Sequence, residues 1–151
     1  MKRIFILLLS VFMVHFAPVS AQNVPSKGKV FLDCHALTTS YSYTQLYGDV
    51  AGCLTDAGFI LARSADDANW TIQVNGSTGK MKETTYGSTT WYFTEVIATI
   101  MIDRGAYASR VFETNITLKG SYNTDYDDAA LDAYRRLTPQ ICETILRQIS
   151  H

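Results

Sequence analysis

Apolar and polar positions alternate over the long stretch from Trp91 to Gly120. Every second residue from Tyr92 to Ile102 falls on one face of a predicted strand, and that face is mostly apolar. The opposite face is partly apolar and carries Ile97, Thr99 and Met101. Gly105 lies in a predicted turn, after which Phe112 to Leu118 alternate with polar residues. The pattern predicts a long hairpin whose first arm is a central strand of a sheet.

Two segments instead show apolar residues at three- and four-residue spacing, which predicts helices. The first runs from a cap at Ser42 or Thr44 to about Ala57, and Gly58 ends it. The second runs from about Asp127 to Ile149, with acidic residues at its start, where the helix dipole favours them. Pro139 lies inside this second segment and predicts either a kink or a break into two shorter helices.

Three further strands complete the pattern. They are predicted at 29–34 (KVFLDC), at 59–62 (FILA) and from Trp70 onward (WTIQVNG), the last with a bend or bulge near Gly76 and Gly79. The element order is β-α-β-β-β-β-α. The first strand–helix–strand unit predicts a right-handed crossover between parallel strands, and the later strands predict an antiparallel meander. We therefore expect an α+β fold, a two-layer α/β sandwich with a mixed sheet of about five strands and both helices on one face.

The N-terminal residues are typical of a secretory signal peptide. Lys2 and Arg3 precede an apolar run, and Val19, Ser20 and Ala21 supply small residues at a cleavage site. The predicted organisation is a signal peptide at 1–21, a flexible lead-in at 22–28 and a single domain at 29–151. The protein is thus expected to be exported, periplasmic or extracellular, with no transmembrane segment after cleavage.

Charge and motifs exclude several classes of function. Loss of Lys2 and Arg3 moves the formal net charge from -1 to about -3, which argues against a nucleic-acid partner. The sequence contains no GxSxG, P-loop or HExxH motif, and no metal or cofactor is expected. The acidic clusters at Asp66–Asp67 and at Asp125, Asp127 and Asp128 are explained by loop solvation and helix capping rather than by metal binding.

Asp33, Cys34 and His35 are consecutive, which raises the question of a catalytic cluster. Neighbouring residues on a strand point to opposite faces, so the three side chains cannot converge on one atom without a sharp turn. A Cys–His nucleophile also needs its two groups brought together in space. The sequence therefore favours a non-enzymatic protein, with an enzyme that uses His35 as a third hypothesis.

The three cysteines, Cys34, Cys53 and Cys142, allow at most one internal disulfide. An oxidising compartment favours such a bridge, whereas small buried hydrophobic thiols are the alternative interpretation. The predicted topology brings the end of the first strand to the C-terminal part of the last helix and places Cys53 toward the opposite end of the first helix. It therefore favours a Cys34–Cys142 bridge.

The whole arrangement resembles small bacterial envelope domains of the LptE, CsgG and LpoB kind. The resemblance rests on KVFLDC, a helix ending in DAGF, ADDANWTIQVNG, a hairpin around DRGAYASRVF and the final helix ALDAYRRLTPQICETILRQI. It implies binding to an outer-membrane protein, a lipid-bearing glycan or a peptidoglycan synthase, or a part in an assembly. Those families are usually lipoproteins, but the lipobox cysteine, which would directly follow the leader, is absent here. Membrane tethering therefore does not follow from the resemblance. No functional residue is carried over.

The leading hypothesis is an exported, non-enzymatic binding or assembly module of the bacterial cell envelope, whose partner is an envelope protein or a cell-wall or outer-membrane component. The alternative is a secreted inhibitor or ligand-binding protein of similar fold. The binding surface is expected on the outer sheet face and the hairpin tips, because apolar residues remain there. It comprises Tyr86, Trp91, Tyr92, Ile97, Met101 and Tyr107.

Overall fold

The computed structural model describes residues 26–35, 43–106 and 109–150. The predicted signal peptide lies outside the described residues, as does most of the predicted lead-in, so that part of the domain organisation stays a prediction. The last lead-in residues are hydrogen-bonded: the Lys27 amide donates to the Gly58 carbonyl, and the Gly28 carbonyl accepts from the Ile60 amide. No helix in the described ranges is long and apolar enough to cross a membrane.

The elements follow the predicted order. They are β1 Lys29–His35, α1 Tyr43–Asp56, β2 Ile60–Leu61, a 3-10 turn at Ala65–Asp67, β3 Trp70–Tyr86, β4 Thr89–Arg104, β5 Ser109–Tyr122 and α2 Tyr126–Ile149. Left-handed glycines lie where the sequence predicts chain reversals, at Gly58 after α1 and at Gly105 after β4. The register between β3 and β4 shifts between Thr78 and Met81, which confirms the irregularity predicted near Gly79.

The strands form one mixed sheet in the order β2-β1-β3-β4-β5. β1 is parallel to both β2 and β3, whereas β3, β4 and β5 form an antiparallel meander. Both helices contribute to a single core on one face of the sheet. The α+β fold class, the crossover and the meander are therefore confirmed.

The core forms because one face of every long strand is apolar. Val30, Leu32 and Cys34 of β1 are buried in phase with Ile72 and Val74 of β3. The most extensive contribution comes from the central strand β4, and the two helices add their apolar stripes. The buried residues of these three elements include Val96, Ala98, Ile100, Ile102, Leu46, Val50, Leu54, Ala130, Ala133, Tyr134, Leu137, Ile141 and Ile145.

Helix α2 is continuous despite its internal proline. Asp125 caps its N-terminus, with a side-chain oxygen accepting from the Asp128 amide at 2.8 Å. Pro139 cannot donate to the carbonyl of Arg135, but both residues are exposed, so water can satisfy that carbonyl. The predicted alternative of two shorter helices is therefore wrong.

Two glycines let α2 lie close to the sheet. A Cβ on Gly120 of β5 would overlap the carbonyl oxygen of Ala129 and lie 2.8 Å from the amide nitrogen of Ala133. A Cβ on Gly76 of β3 would collide with the hydroxyl of Tyr134 and lie 3.1 Å from its ring. Because the first contact involves helix backbone, which cannot rotate away, Gly120 fixes where α2 begins on the sheet.

Substitution of Gly120 tests this contact. We expect Gly120→Ala to lower the free energy of unfolding by about 3 kcal/mol or more, since the methyl group must displace α2 from the sheet. Gly48→Ala on α1, where nothing lies within 4 Å, is the matched control. It should raise stability by about 0.5–1 kcal/mol through helix propensity. Equal urea midpoints for the two variants would contradict this account.

Candidate interaction surface

The sheet face opposite the helices, here called the open face, is not covered by any helix in the described part of the chain. Its residues include Phe31, Asp33, Gln73, Asn75, Ile97, Thr99, Met101, Glu113, Asn115 and Thr117, all of them half-buried or exposed. Ile97 and Met101 are apolar residues at its centre, on β4. The strands on both sides of β4 limit their exposure, and within the described ranges no second layer covers them.

The β3–β4 hairpin continues this face beyond the helix layer. Its register places Lys82 opposite Phe93 and Thr84 opposite Trp91, so these side chains lie on the open face. Tyr86 at the tip is 66% exposed and Trp91 is 36% exposed. Exposed aromatic rings at a hairpin tip are residues that interfaces use as anchors.

A groove of about 660 Å³ lies on this hairpin. The open-face residues that line it are Lys82, Thr84, Tyr86, Phe93, Glu95 and Lys119. Glu95 and Lys119 are directly opposite each other in the β4–β5 register. The groove thus combines aromatic rings with charges of both signs, which suits a partner that has apolar and polar parts. Periodicity alone does not bring most of these residues together, because their common face depends on the β3 register shift and on the β4–β5 register.

The predicted surface residues do not all come together. Tyr86, Trp91, Ile97 and Met101 share the open face, whereas Tyr92 points to the helix side. There its ring contacts Tyr126 edge-on, with centroids 5.1 Å apart and planes at 76°. Tyr107 lies outside the described residues. Trp91 and Ile97 are six residues apart on β4, about 20 Å, so the face has a central part and a hairpin part.

An ion pair between a buried carboxylate and an exposed guanidinium lies at the other end of the open face. The carboxylate of Asp103 is 3% exposed and accepts from the Arg110 guanidinium at 2.5 Å. Arg110 also donates to Glu113 at 2.8 Å. The hydrogen bond to Asp103 raises the pKa of Arg110. These contacts fix the start of β5 and give Glu113 a partner that it shares with Asp103.

The Asp33–Cys34–His35 cluster separates as strand geometry predicts. His35 Nε2 lies 3.2 Å from Asp33 Oδ1 on the open face, whereas Cys34 is fully buried on the helix side. Cys34 and His35 therefore do not form a nucleophile pair, and the enzyme hypothesis gains no support from them. Among the described residues, no three His, Cys, Asp or Glu side chains form a possible metal site. Asp67 instead accepts from Ser64, and Asp125 caps α2.

The cysteines are close together in the helix layer, all three as free thiols. The Cys142 thiol of α2 is a close neighbour of the Cys53 thiol of α1, and Cys34 lies nearby. The expectation that Cys53 lies far from Cys142 is wrong, because α2 crosses the sheet to pack against α1. The Cys34–Cys142 bridge itself stays a prediction.

Burial controls the ionisation of two of these thiols. Desolvation, with a smaller effect of Asp33, raises the pKa of Cys34 from 9.0 to about 12. Desolvation also raises the pKa of Cys142, and the contact with Cys53 adds to the effect. Because the thiolate is the reactive form, both positions are protected from alkylation in the folded protein.

Comparison with solved structures identifies the fold. A minor lipoprotein from Acinetobacter baumannii matches with a TM-score of 0.53 and 19% identity, covering 81% of this chain and 90% of that one. A hypothetical protein from Chlamydia trachomatis matches with a TM-score of 0.52 and 10% identity, covering 82% and 98%. Neither family models nor curated protein sequences match the chain. The resemblance to small envelope lipoprotein domains is thus confirmed at the level of the fold.

The raised pKa of Cys34 predicts its reactivity. At pH 9 a thiol with the ordinary pKa of 9.0 is half ionised, whereas Cys34, with its pKa raised to about 12, stays almost entirely protonated. We therefore expect iodoacetamide to label Cys34 of the reduced, folded protein only after unfolding. Labelling rates from peptide mass spectrometry, with and without urea, provide the measurement. Equal rates in the two states would show that Cys34 is not protected.

The contact between Cys53 and Cys142 predicts which pair an oxidant joins first. Glutathione disulfide would accept two electrons, and the two thiols would release two protons and form one S–S bond. We expect a Cys53–Cys142 bridge with Cys34 left as a thiol. Non-reducing peptide mapping distinguishes this pair from the Cys34–Cys142 pair that the sequence favours, and Cys53→Ser is the control variant.

Proposed function

We propose that this protein is an exported, non-enzymatic binding or assembly module of the bacterial cell envelope, which acts through its open face. The observation that carries the proposal is the open face itself. It presents Ile97 and Met101 at its centre and continues to Tyr86 and Trp91 on the hairpin. An apolar centre with aromatic anchors and a polar margin is the composition of a protein interface.

Two independent observations support the proposed location. The predicted signal peptide directs the chain to an exported compartment, periplasmic or extracellular. The first structural match is described as a minor lipoprotein. We infer from these that the partner is an envelope protein or a component of the cell wall or outer membrane.

A second candidate function is supported by the groove. Its volume of about 660 Å³ is within the range of small-molecule sites, roughly 300–1,000 Å³. A secreted ligand-binding protein or inhibitor would use this groove and the hairpin tip rather than the centre of the face. The two functions therefore assign binding to different parts of the open face.

Site-specific photo-crosslinking distinguishes these functions. A photoreactive amino acid at Met101 reports on the centre of the face, one at Tyr86 reports on the hairpin, and one at Gln148 on the exposed side of α2 is the control. In the native host, the proposal predicts a discrete crosslinked envelope component from Met101 and none from Gln148. Crosslinks from Tyr86 alone, to a soluble molecule, would favour the ligand-binding protein. No crosslink from either position would overturn both functions.

Polar substitution at the centre of the face provides the quantitative test. We expect Ile97→Ser with Met101→Ser to weaken partner binding at least about tenfold, or 1.4 kcal/mol, because both apolar contacts are lost. Ile60→Ser on the short edge strand β2 is the control, since Ile60 is an apolar residue that is 50% exposed and lies outside this surface. Titration calorimetry with the partner that crosslinking identifies measures binding. A thermal melt of each variant measures folding. Unchanged affinity in a folded double variant would reject the open face.

A further inference from the structure

Strand β5 is the outermost strand of the sheet, and its 14 residues make it much longer than the opposite edge strand β2, which has 2. In the described part of the chain no strand pairs with its outer side. An edge strand presents a row of N–H and C=O groups that another extended chain can pair with. The chemistry of this edge depends on which of those groups are already bonded.

Helix α2 closes one end of the edge. The Lys119 carbonyl accepts from Arg136 at 2.6 Å, and the Ser121 amide donates to Asp132 at 3.3 Å. Arg136 and Asp132 are themselves joined at 2.7 Å, so they form one clamp across the edge. These two bonds also establish that Lys119 and Ser121 direct their backbone groups away from β4.

The rest of the edge is open. Backbone groups alternate in direction along an antiparallel strand, and the β4–β5 register is uninterrupted from Phe112 to Tyr122. Glu113, Asn115 and Thr117 therefore direct their N–H and C=O groups outward, as Lys119 does. Helix α2 does not cover them, because it starts over Gly120 and leaves toward β3, where Tyr134 meets Gly76.

A register shift at Val111 interrupts the start of the segment 111–117, but the rest of it lacks the other devices that keep an edge strand unpaired. It contains no proline and no lysine, and its one charged residue, Glu113, is paired at 2.8 Å with Arg110, which it shares with Asp103. Val111 is 50% exposed at the start of the segment. By contrast, the clamp and Lys119 protect the neighbouring residues. The open length is therefore limited to about seven residues, the length of an ordinary strand.

We propose that two copies of this chain pair through this segment, with the two β5 strands antiparallel and related by a twofold axis at Thr114. This register joins 113 with 115 of the copy and places 112 opposite 116, so that it uses the regular part of the open segment and leaves the clamp intact. The two five-stranded sheets become one continuous sheet, with both open faces on the same side.

The side chains are complementary in this register. On the helix side, half-buried Phe112 and Ile116 lie opposite each other in the two copies, so each apolar side chain gains an apolar neighbour. On the open face, Glu113 lies opposite Asn115, an amide that can donate to its carboxylate. No like charges are opposed, whereas a register centred on Glu113 would place two carboxylates together. Because the segment is complementary to itself, a second copy of this chain is the partner that fits the β5 edge. The pairing does not depend on the proposed function.

The proline variant Asn115→Pro tests the pairing. Proline removes the outward amide that bonds to the other copy, but it removes no bond of the β4–β5 ladder, because the Asn115 amide points away from β4. Asn115→Ala is the matched control: it keeps the amide, and both variants lose the 2.7 Å bond between Thr99 and Asn115. We expect the wild-type protein and Asn115→Ala to dimerise, and Asn115→Pro to have a dimer dissociation constant at least about tenfold higher.

Sedimentation equilibrium of the exported protein over a concentration series gives these constants, and circular dichroism checks the fold of each variant. A wild-type mass equal to one chain at every concentration would overturn the proposal, as would a folded Asn115→Pro that dimerises like Asn115→Ala.

Amide hydrogen exchange of the wild-type protein tests the same edge should the proline variant fail to fold. The amides of Glu113, Asn115 and Thr117 should become protected as the concentration rises. Protection of these amides only on addition of another protein would assign the edge to that partner instead and would also overturn the proposal.

Discussion

Burial of the apolar face of β4 under α2 is the constraint on which the rest of the structure depends. Val96, Ala98, Ile100 and Ile102 are almost fully buried, and α2 provides most of the side chains that cover the meander. Close approach requires glycine at the two sites where the helix meets the sheet, Gly120 and Gly76. The diagonal path that these contacts impose also brings α2 to α1 and places Cys142 against Cys53.

The same path determines what remains uncovered. α2 begins over the C-terminal end of β5, so its first turns clamp Lys119 and Ser121 but leave the preceding edge open. The hairpin arms of β3 and β4 are 17 and 16 residues long and extend beyond the helix layer. Because hydrogen bonding between the arms satisfies their backbone groups, the extension needs no second layer. Its side chains are available for contacts with other molecules.

The open face and the open edge are adjacent surfaces with different chemistry. The face offers apolar and aromatic side chains in a polar margin, whereas the edge offers backbone hydrogen-bond groups of fixed spacing. A sheet that continues through two copies would double the face without altering it. A partner that contacts both halves would then gain affinity through multivalency, because its second contact is intramolecular.

The sequence by itself determined the element order, the buried faces of the strands and helices, the crossover and the meander. These follow from local periodicity, which depends only on whether side chains repeat every two or about every 3.6 residues. The tertiary structure alone decided the continuity of α2 at Pro139, the neighbour of Cys142, the inward position of Tyr92 relative to Trp91, and the groove around Phe93. Each of these depends on register and helix crossing, which arise from contacts between residues far apart in the chain, and periodicity within one element carries no information about them.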